Sequence, residues 1–276
     1  MNTMFEKQVV VITGAGRGIG AAAAKMFAEA GAKVVVNDLN PEPANAVVAE
    51  IEQAGGVAIA VPGDVTAPDF PEELLKAAVE AYGKINILVN NAGYTWDGMS
   101  HKMADEQWEA ILAVHLTAPF RMIRAAAQYM RDPAKEEVKA GGPKEPRCII
   151  NVSSTSGLHG NIGQANYAAA KMGVLGLTKT IAKEWGAFGI RCNTVAFGFT
   201  DTRLTRSKDG GESIRVGGQE VALGIPDKIR QMAPMLIPLG RAATPEEAAG
   251  GILLLASPWA AYITGHTLEV TGGSGI

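Results

Sequence analysis

Cysteine is nearly absent: Cys148 and Cys192 are the only two in 276 residues, 44 positions apart in apolar, strand-like surroundings. Two thiols so placed make neither a disulfide framework nor a metal cluster, so no metal is expected and a reducing cytoplasm suits the chain. An excess of one charge is lacking too. The formal net charge is -3 with Lys and Arg dispersed, which leaves no basic stripe for nucleic acid. The start, Met1 to Lys7, runs straight into Val9-Val-Val-Ile12 without the charged, apolar and cleavage regions of an export signal. A long uncharged stretch from Ala248 to Leu268 is broken by Gly250, Gly251, Ser257, Pro258, Thr264, Gly265 and His266. It reads as a buried helix, a turn and a short strand, and no membrane partner is expected.

What is present is a hydrophobic fraction of 47%, ample for one sizeable core and a single domain over 1–276. Short β-branched runs (Val9 to Thr13, Lys33 to Asn37, Val57 to Val61, Ile85 to Asn90, Cys148 to Ser153, Ile190 to Ala196, Thr267 to Val270) alternate with alanine-rich helical stretches. Examples of the latter are Ala21 to Ala30, Pro71 to Tyr82, Asp105 to Met130 and Gln164 to Trp185. Such alternation predicts an α/β fold: a doubly wound parallel sheet, Rossmann-like, with helices on both faces and ligands at the carboxyl ends of its strands. Two stretches break the rhythm. The charged, Pro- and Gly-rich 132–147 reads as an exposed loop insertion. The longer 200–238, following strand six, reads as a substrate lid.

After the first strand comes Thr13-Gly14-Ala-Gly16-Arg17-Gly18-Ile19-Gly20, opening into a helix. Glycines there permit a tight turn and let backbone N–H groups approach a pyrophosphate, which the positive helix N-terminus also favours. The second strand ends at Asp38, where a carboxylate accepts hydrogen bonds from ribose hydroxyls and repels an extra phosphate. NAD is therefore favoured. Arg17 pulls toward NADP, because an arginine in the glycine loop can reach a 2′-phosphate. Asp64 and Val65, after strand three, are placed to meet the adenine, although Asp64 also suits a simple turn.

Ser154 is followed thirteen residues on by Tyr167 and four further by Lys171. Positions i and i+4 share one helix face, so the Lys171 ammonium can sit beside the Tyr167 phenol. A free phenol titrates at about 10, and a neighbouring cation lowers it toward the range of a working acid or base. Ser154 can then hydrogen-bond the same substrate oxygen.

With these motifs in place the chain resembles a short-chain dehydrogenase/reductase over essentially its full length. The resemblance rests on Thr13-Gly14-x-x-x-Gly18-x-Gly20, Asn90-Asn91-Ala92-Gly93, Ser154, Tyr167-x-x-x-Lys171 and the late Thr267 to Gly273 segment. It implies that Tyr167 is the acid/base, that Ser154 orients the substrate oxygen, and that Lys171 tunes Tyr167 and holds the nicotinamide ribose. It also implies cofactor contacts from Asn90, Asn91, Ala92, Gly93, Gly198, Thr200 and Thr202, and a homotetramer packed through the helices of His115 and Tyr167. Within the family, Gly160 to Tyr167 is most similar to 3-oxoacyl-acyl-carrier-protein reductases and to 3-hydroxyacyl-CoA dehydrogenase domains, which makes thioesters the leading substrates. A polyol, sugar or steroid-type alcohol is the alternative, and a catalytically silent nucleotide-binding protein the remote one. Gln164, Trp96, His159 and Phe199 are the substrate candidates, with Arg203, Arg206 and Lys208 on the lid available for a thioester carrier's phosphate. The chain departs from the family pattern twice. His115 stands where an asparagine usually completes a proton relay, and either holds the relay water, titrates in it, or merely packs. Phe197 stands where a proline usually stiffens the backbone beside the nicotinamide.

Overall fold

The computed structural model describes residues 3–143, 145–207, 212–216 and 218–275. Lys208, Asp209, Gly210, Gly211 and Gly217, in the segment expected to be a lid, lie outside that set. Strands β1 (Val9–Ile12), β2 (Lys33–Val36), β3 (Val57–Ala60), β4 (Ile87–Asn90), β5 (Arg147–Ser154), β6 (Ile190–Phe197) and β9 (Thr267–Val270) form one sheet in the order β3-β2-β1-β4-β5-β6-β9. Every pairing in it is parallel. The chain winds outward from β1 in one direction and from β4 in the other, so the winding reverses between β1 and β4. That reversal opens a crevice at the strands' carboxyl ends, where the glycine loop and Asn90 emerge.

Alternation along the central strands divides the core into two layers. Val10, Ile12, Val34, Val36 and Ile150 face α1 (Gly18–Glu29), α2 (Pro41–Gln53) and α10 (Pro245–Ala256). Val11, Val35, Leu88, Ile149 and Cys192 face α3 (Phe70–Tyr82), the long helical run from Asp105, and α8 (Ala165–Trp185). Strands buried on both faces read as continuous apolar runs, which is why β1 is all Val and Ile. Alanines 21–24 of α1 are small enough to bring that helix close against α10 and the sheet.

The expected helix from Asp105 does not stop at Met130. It continues as α4 (Asp105–Leu112), a π turn (Ala113–Thr117), α5 (Ala118–Ala126), a second π turn (Ala127–Arg131) and α6 (Asp132–Lys139). The first half of 132–147 is thus helical rather than a loop. Pro133 falls directly after the second π turn, where the regular i→i−4 bonding is already interrupted and a missing N–H is accommodated. Ala134 is buried, and the segment is tied down by Glu137 and Arg147, 2.7 Å apart, and by Lys84 and Glu145 at 2.9 Å. By length and composition the 35-residue Asp105–Lys139 run is apolar enough to cross a membrane, yet half of its apolar window is buried within the protein. Ile111, Met122, Ile123 and Met130 carry that apolar character into the core.

The 200–238 segment is structured as well. It contains an antiparallel hairpin of β7 (Ser213–Val216) and β8 (Gln219–Ala222), then α9 (Asp227–Met232) and a 3-10 turn, Ala233–Leu236. Val221 and Leu223 anchor the hairpin in the core, while Ile229, Met235 and Leu236 stay exposed.

Candidate active site

Gly14 and Gly18 adopt φ of +63° and +53°, a region that L side chains resist. A Cβ on Gly20 would stand 2.4 Å from the Gly14 carbonyl oxygen and 2.5 Å from Asn91 Nδ2. The loop is therefore a backbone cradle that only glycine can build. Thr13 Oγ1 accepts from the N–H groups of Asn91 (3.0 Å) and Ala92 (3.1 Å), and Asn91 Nδ2 donates to the carbonyls of Thr13 and Gly14. These bonds tie the loops after β1 and β4 together across the crevice. No side chain caps the N-terminus of α1, and Ile19 packs on the core below it. That uncapped N-terminus suits a phosphate.

Asp38 follows β2 and binds backbone on both sides: Gly16 N donates to Oδ2 at 3.1 Å and Asn40 N to Oδ1 at 3.2 Å. The glycine loop thereby fixes the carboxylate at its rim, leaving Arg17 exposed beside it. Asp64 spends its Oδ1 on its own turn, accepting from Thr66 N (2.8 Å) and Thr66 Oγ1 (2.7 Å), while Val65 is buried. The turn-former reading of Asp64 is thus present, and Val65 lines the small cavity beside Thr13, Asn90 and Ala92.

Ser154 ends β5 and starts the short helix α7 (Thr155–His159), its Oγ accepting from Ser156 N at 3.1 Å. Tyr167 and Lys171 share a face of α8, as their spacing requires. Burial pushes the Tyr167 phenol up to about 12, with a hydrogen bond to Ser154 pulling it down and Asp97 adding to the rise. Lys171 is buried too, and burial brings its ammonium down to about 7. Its Nζ donates to the Val152 carbonyl at 2.7 Å and lies 5.6 Å from the centre of the Tyr167 ring. The expected lowering of the phenol by Lys171 does not appear: burial raises the phenol, and the group that pulls it down is Ser154. The outcome is a protonated phenol beside a lysine that titrates near neutrality.

His115 lies in the first π turn, almost fully buried. Nε2 sits 2.7 Å from the Tyr94 carbonyl oxygen, which only accepts, so Nε2 carries the hydrogen and Nδ1 is an acceptor. Burial and then Lys171 hold the imidazole well below its usual range, against a smaller opposing effect of the Tyr94 carbonyl. The neutral ring can thus offer a lone pair. His115 Nδ1, Asn90 Oδ1 and Thr200 Oγ1 are buried polar atoms without partners among the described residues. Orphaned polar atoms in one crevice with a glycine cradle fit a polar cofactor better than a closed core does.

The substrate candidates divide. Gln164 is committed: Nε2 donates to Asp97 at 3.1 Å and Oε1 accepts from Asn161 Nδ2 at 3.0 Å. Trp96 packs against the α8 side of the core, its carbonyl taking Asn166 Nδ2. His159 instead meets Glu269 at 3.9 Å and the carboxyl-terminal segment at Gly275. Phe199 is half-buried, and its carbonyl accepts from Ala243 N at 3.0 Å. Phe197 pairs with Ser154 on one side and Val270 on the other, so two strands restrain the backbone where a proline ring would have. Gly198 approaches Thr271, whose Cα would lie 2.9 Å from an added Cβ. Thr200 and Thr202 are knit to Thr205, and Thr202 lies against Gly18, bringing the start of the 200–238 segment onto the glycine loop. Asp97 and Asn166, which fix Gln164 and Trp96, went unnoticed in the sequence because no local spacing marks them.

The short chain dehydrogenase family model matches residues 8–213. The chain is 41% identical to the 3-oxoacyl-acyl-carrier-protein reductase of Synechocystis, over 98% of each protein. It is 38% identical to the 3-oxoacyl-acyl-carrier-protein reductase FabG of Thermotoga maritima, again over 98% of each. An uncharacterized oxidoreductase of Mycobacterium tuberculosis is 37% identical over 99% of each. Taken with the parallel sheet and the glycine cradle, these likenesses establish that the chain belongs to the short-chain dehydrogenase family and is an oxidoreductase of the CH–OH/ketone type that uses a nicotinamide dinucleotide.

Proposed function

We propose that this enzyme reduces a 3-oxoacyl thioester to the 3-hydroxyacyl thioester, with an acyl-carrier-protein substrate favoured and NADH preferred over NADPH. The observation that carries the reading is the trio of half-buried Ser154 and Tyr167 with buried Lys171 at the crevice, in a chain similar throughout its length to proteins named for that reduction. When bound, the dinucleotide supplies the hydride. Gly14, Gly18, Gly20 and the α1 N-terminus would hold its phosphates, Asp38 its adenosine ribose, and Asn90, Gly93, Thr200 and Lys171 its nicotinamide half.

The remaining chemistry belongs to the chain. Ser154 and Tyr167 each point a hydroxyl at one oxygen, where negative charge develops as the carbonyl is reduced; one such preorganised donor contributes roughly 3 kcal/mol. The Tyr167 O–H bond breaks, its proton moves to the substrate oxygen, and the phenolate is left beside Lys171. Burial keeps the phenol protonated at neutral pH, so the proton is in place, and makes it a weaker acid than a free phenol. His115 Nδ1 is our candidate for the acceptor that orients a relay water reprotonating the site; with the Nε2 hydrogen committed to the Tyr94 carbonyl, the ring positions that water and passes no proton itself.

Asp38 supports the NADH preference through its carboxylate at the loop rim. Trp108, Phe120 and Met172, exposed on the outer faces of the α4, α5 and α8 helices, support a homotetramer built on those faces. Two buried free cysteines agree with a cytoplasmic setting. The test is loss of reduced-cofactor absorbance with acetoacetyl-CoA beside a sugar ketone, each with NADH and with NADPH. Turnover of the thioester is the expected result. Turnover of the sugar ketone alone overturns the substrate class, and saturable nucleotide binding without turnover of any carbonyl overturns the catalytic reading.

A further inference from the structure

Between the first turn of α1 and the start of the lid lies a cleft of about 290 Å³. Arg17, Gly18 and Ala21 form one wall, and Thr202, Arg203 and Glu212 stand opposite. Other charges reach the cleft, but Lys25 is held by Glu50 at 3.0 Å and Asp201 faces Arg230 at 3.7 Å. What remains in the lining is Arg17, Arg203 and Arg206 against Glu212 and Glu246, with Asp38 close by, so three guanidinium groups meet at a helix end disposed toward an anion.

Glu212 serves two guanidinium groups and grips neither. Arg203 Nε is 3.5 Å from one of its oxygens, and Arg206 Nη1 is 4.0 Å from the other. Neither is the short bidentate pairing that arginine makes with a well-placed carboxylate. Arg203 is nevertheless half-buried rather than free, and Arg17 and Asp38 are both near enough for their charges to act on it. The lid thus holds a fork of donors at the mouth of the phosphate cradle, loosely engaged by a carboxylate that a dianion would outcompete.

We propose that Arg203 is a phosphate ligand of the bound dinucleotide and that Glu212 holds its guanidinium at the cleft until the phosphate takes it. The inference rests on the dinucleotide-dependent reading above and adds a residue that the glycine loop does not contain. Its consequence is local: the phosphate that takes Arg203 releases Glu212 and holds the loop carrying Thr202 and Arg203 against the glycine loop, where Thr202 already lies beside Gly18.

The experiment is fluorescence titration of the full-length enzyme with NADH and with NADPH, for the wild type, Arg203→Gln, Glu212→Gln and the double variant, with circular dichroism and thermal melting as checks of folding. Arg203→Gln is expected to raise Kd about tenfold, and Glu212→Gln to lower it about threefold by freeing the guanidinium. The double variant should match Arg203→Gln alone, since Glu212 acts only through Arg203. An equal loss for the two nucleotides assigns the shared pyrophosphate, and a loss confined to NADPH assigns the 2′-phosphate; both support the proposal. Unchanged Kd values in Arg203→Gln, or a Glu212→Gln gain that survives in the double variant, overturn it. Should Arg203→Gln fail to fold, Arg203→Lys serves instead: it keeps the charge, loses the fork, and should bind less tightly than wild type, an unchanged Kd again overturning the proposal. A wild-type enzyme that binds neither nucleotide would instead overturn the broader reading.

Discussion

The His115 imidazole stands edge-on to the Tyr167 ring, with centroids 4.9 Å apart and planes at 87°. This places a neutral, singly occupied imidazole against the proton-carrying residue, in a gap that exists because Gly93 lacks a side chain. A Cβ on Gly93 would fall 2.0 Å from His115 Cε1.

Gly93→Ala should therefore destabilise the enzyme by about 1–3 kcal/mol, the usual range for overpacking a rigid core. Adding His115→Ala should restore a large part of that loss, as seen in the denaturation midpoints of the two variants. Equal instability of the single and double variants would show that the loop after β4 is strained for another reason.

Tyr167→Phe should lower turnover by roughly three orders of magnitude or more while NADH still binds, because the ring and its packing survive and only the donor is lost. Near-normal turnover would remove Tyr167 from its role.

The pH dependence of stability has a sign that follows from Lys171. Its ammonium falls from an ordinary 10.5 to about 7 on folding, so from pH 7 to 10.5 the unfolded chain binds the extra proton. Stability must then rise with pH in that window. His115, held below its usual range, adds a rise only below about pH 6.5, and the buried Cys148, Cys192 and Tyr167, all raised, oppose it only above about pH 9. Between pH 7 and 9 chemical denaturation should show a gain of up to roughly 2 kcal/mol in the wild type. Lys171→Met should be flat over the same range, and an equal gain in that variant would assign the effect to another group.

Asp38→Asn should narrow the preference for NADH over NADPH about tenfold, measured as the ratio of the two kcat/KM values, since the charge that repels a 2′-phosphate is gone while Gly16 N keeps an oxygen acceptor. An unchanged ratio would shift discrimination to Arg17 or to the lid.

Much of the fold was legible because its signals are local. Runs such as Val9 to Ile12 announce strands buried on both faces, and glycines before an alanine-rich helix announce a backbone cradle. The helical course of 132–139 was hidden because composition there resembles a loop: Pro133 disfavours a helix interior unless a π turn precedes it, and the Glu137–Arg147 pair that holds the segment joins residues ten apart. The hairpin of the 200–238 segment was hidden for the same reason, since Val221 and Leu223 show their anchoring role only when a core is there to receive them.

The sequence by itself determined the family chemistry: spacing along one helix puts Tyr167 and Lys171 on one face, and no tertiary contact is needed to know it. Only the tertiary structure decided how those groups titrate, which tautomer His115 carries and which acid meets Arg203. Desolvation depends on what surrounds a group in space. Here it lifts the Tyr167 phenol to about 12 and drops Lys171 to about 7, an outcome that four-residue spacing alone could not foretell.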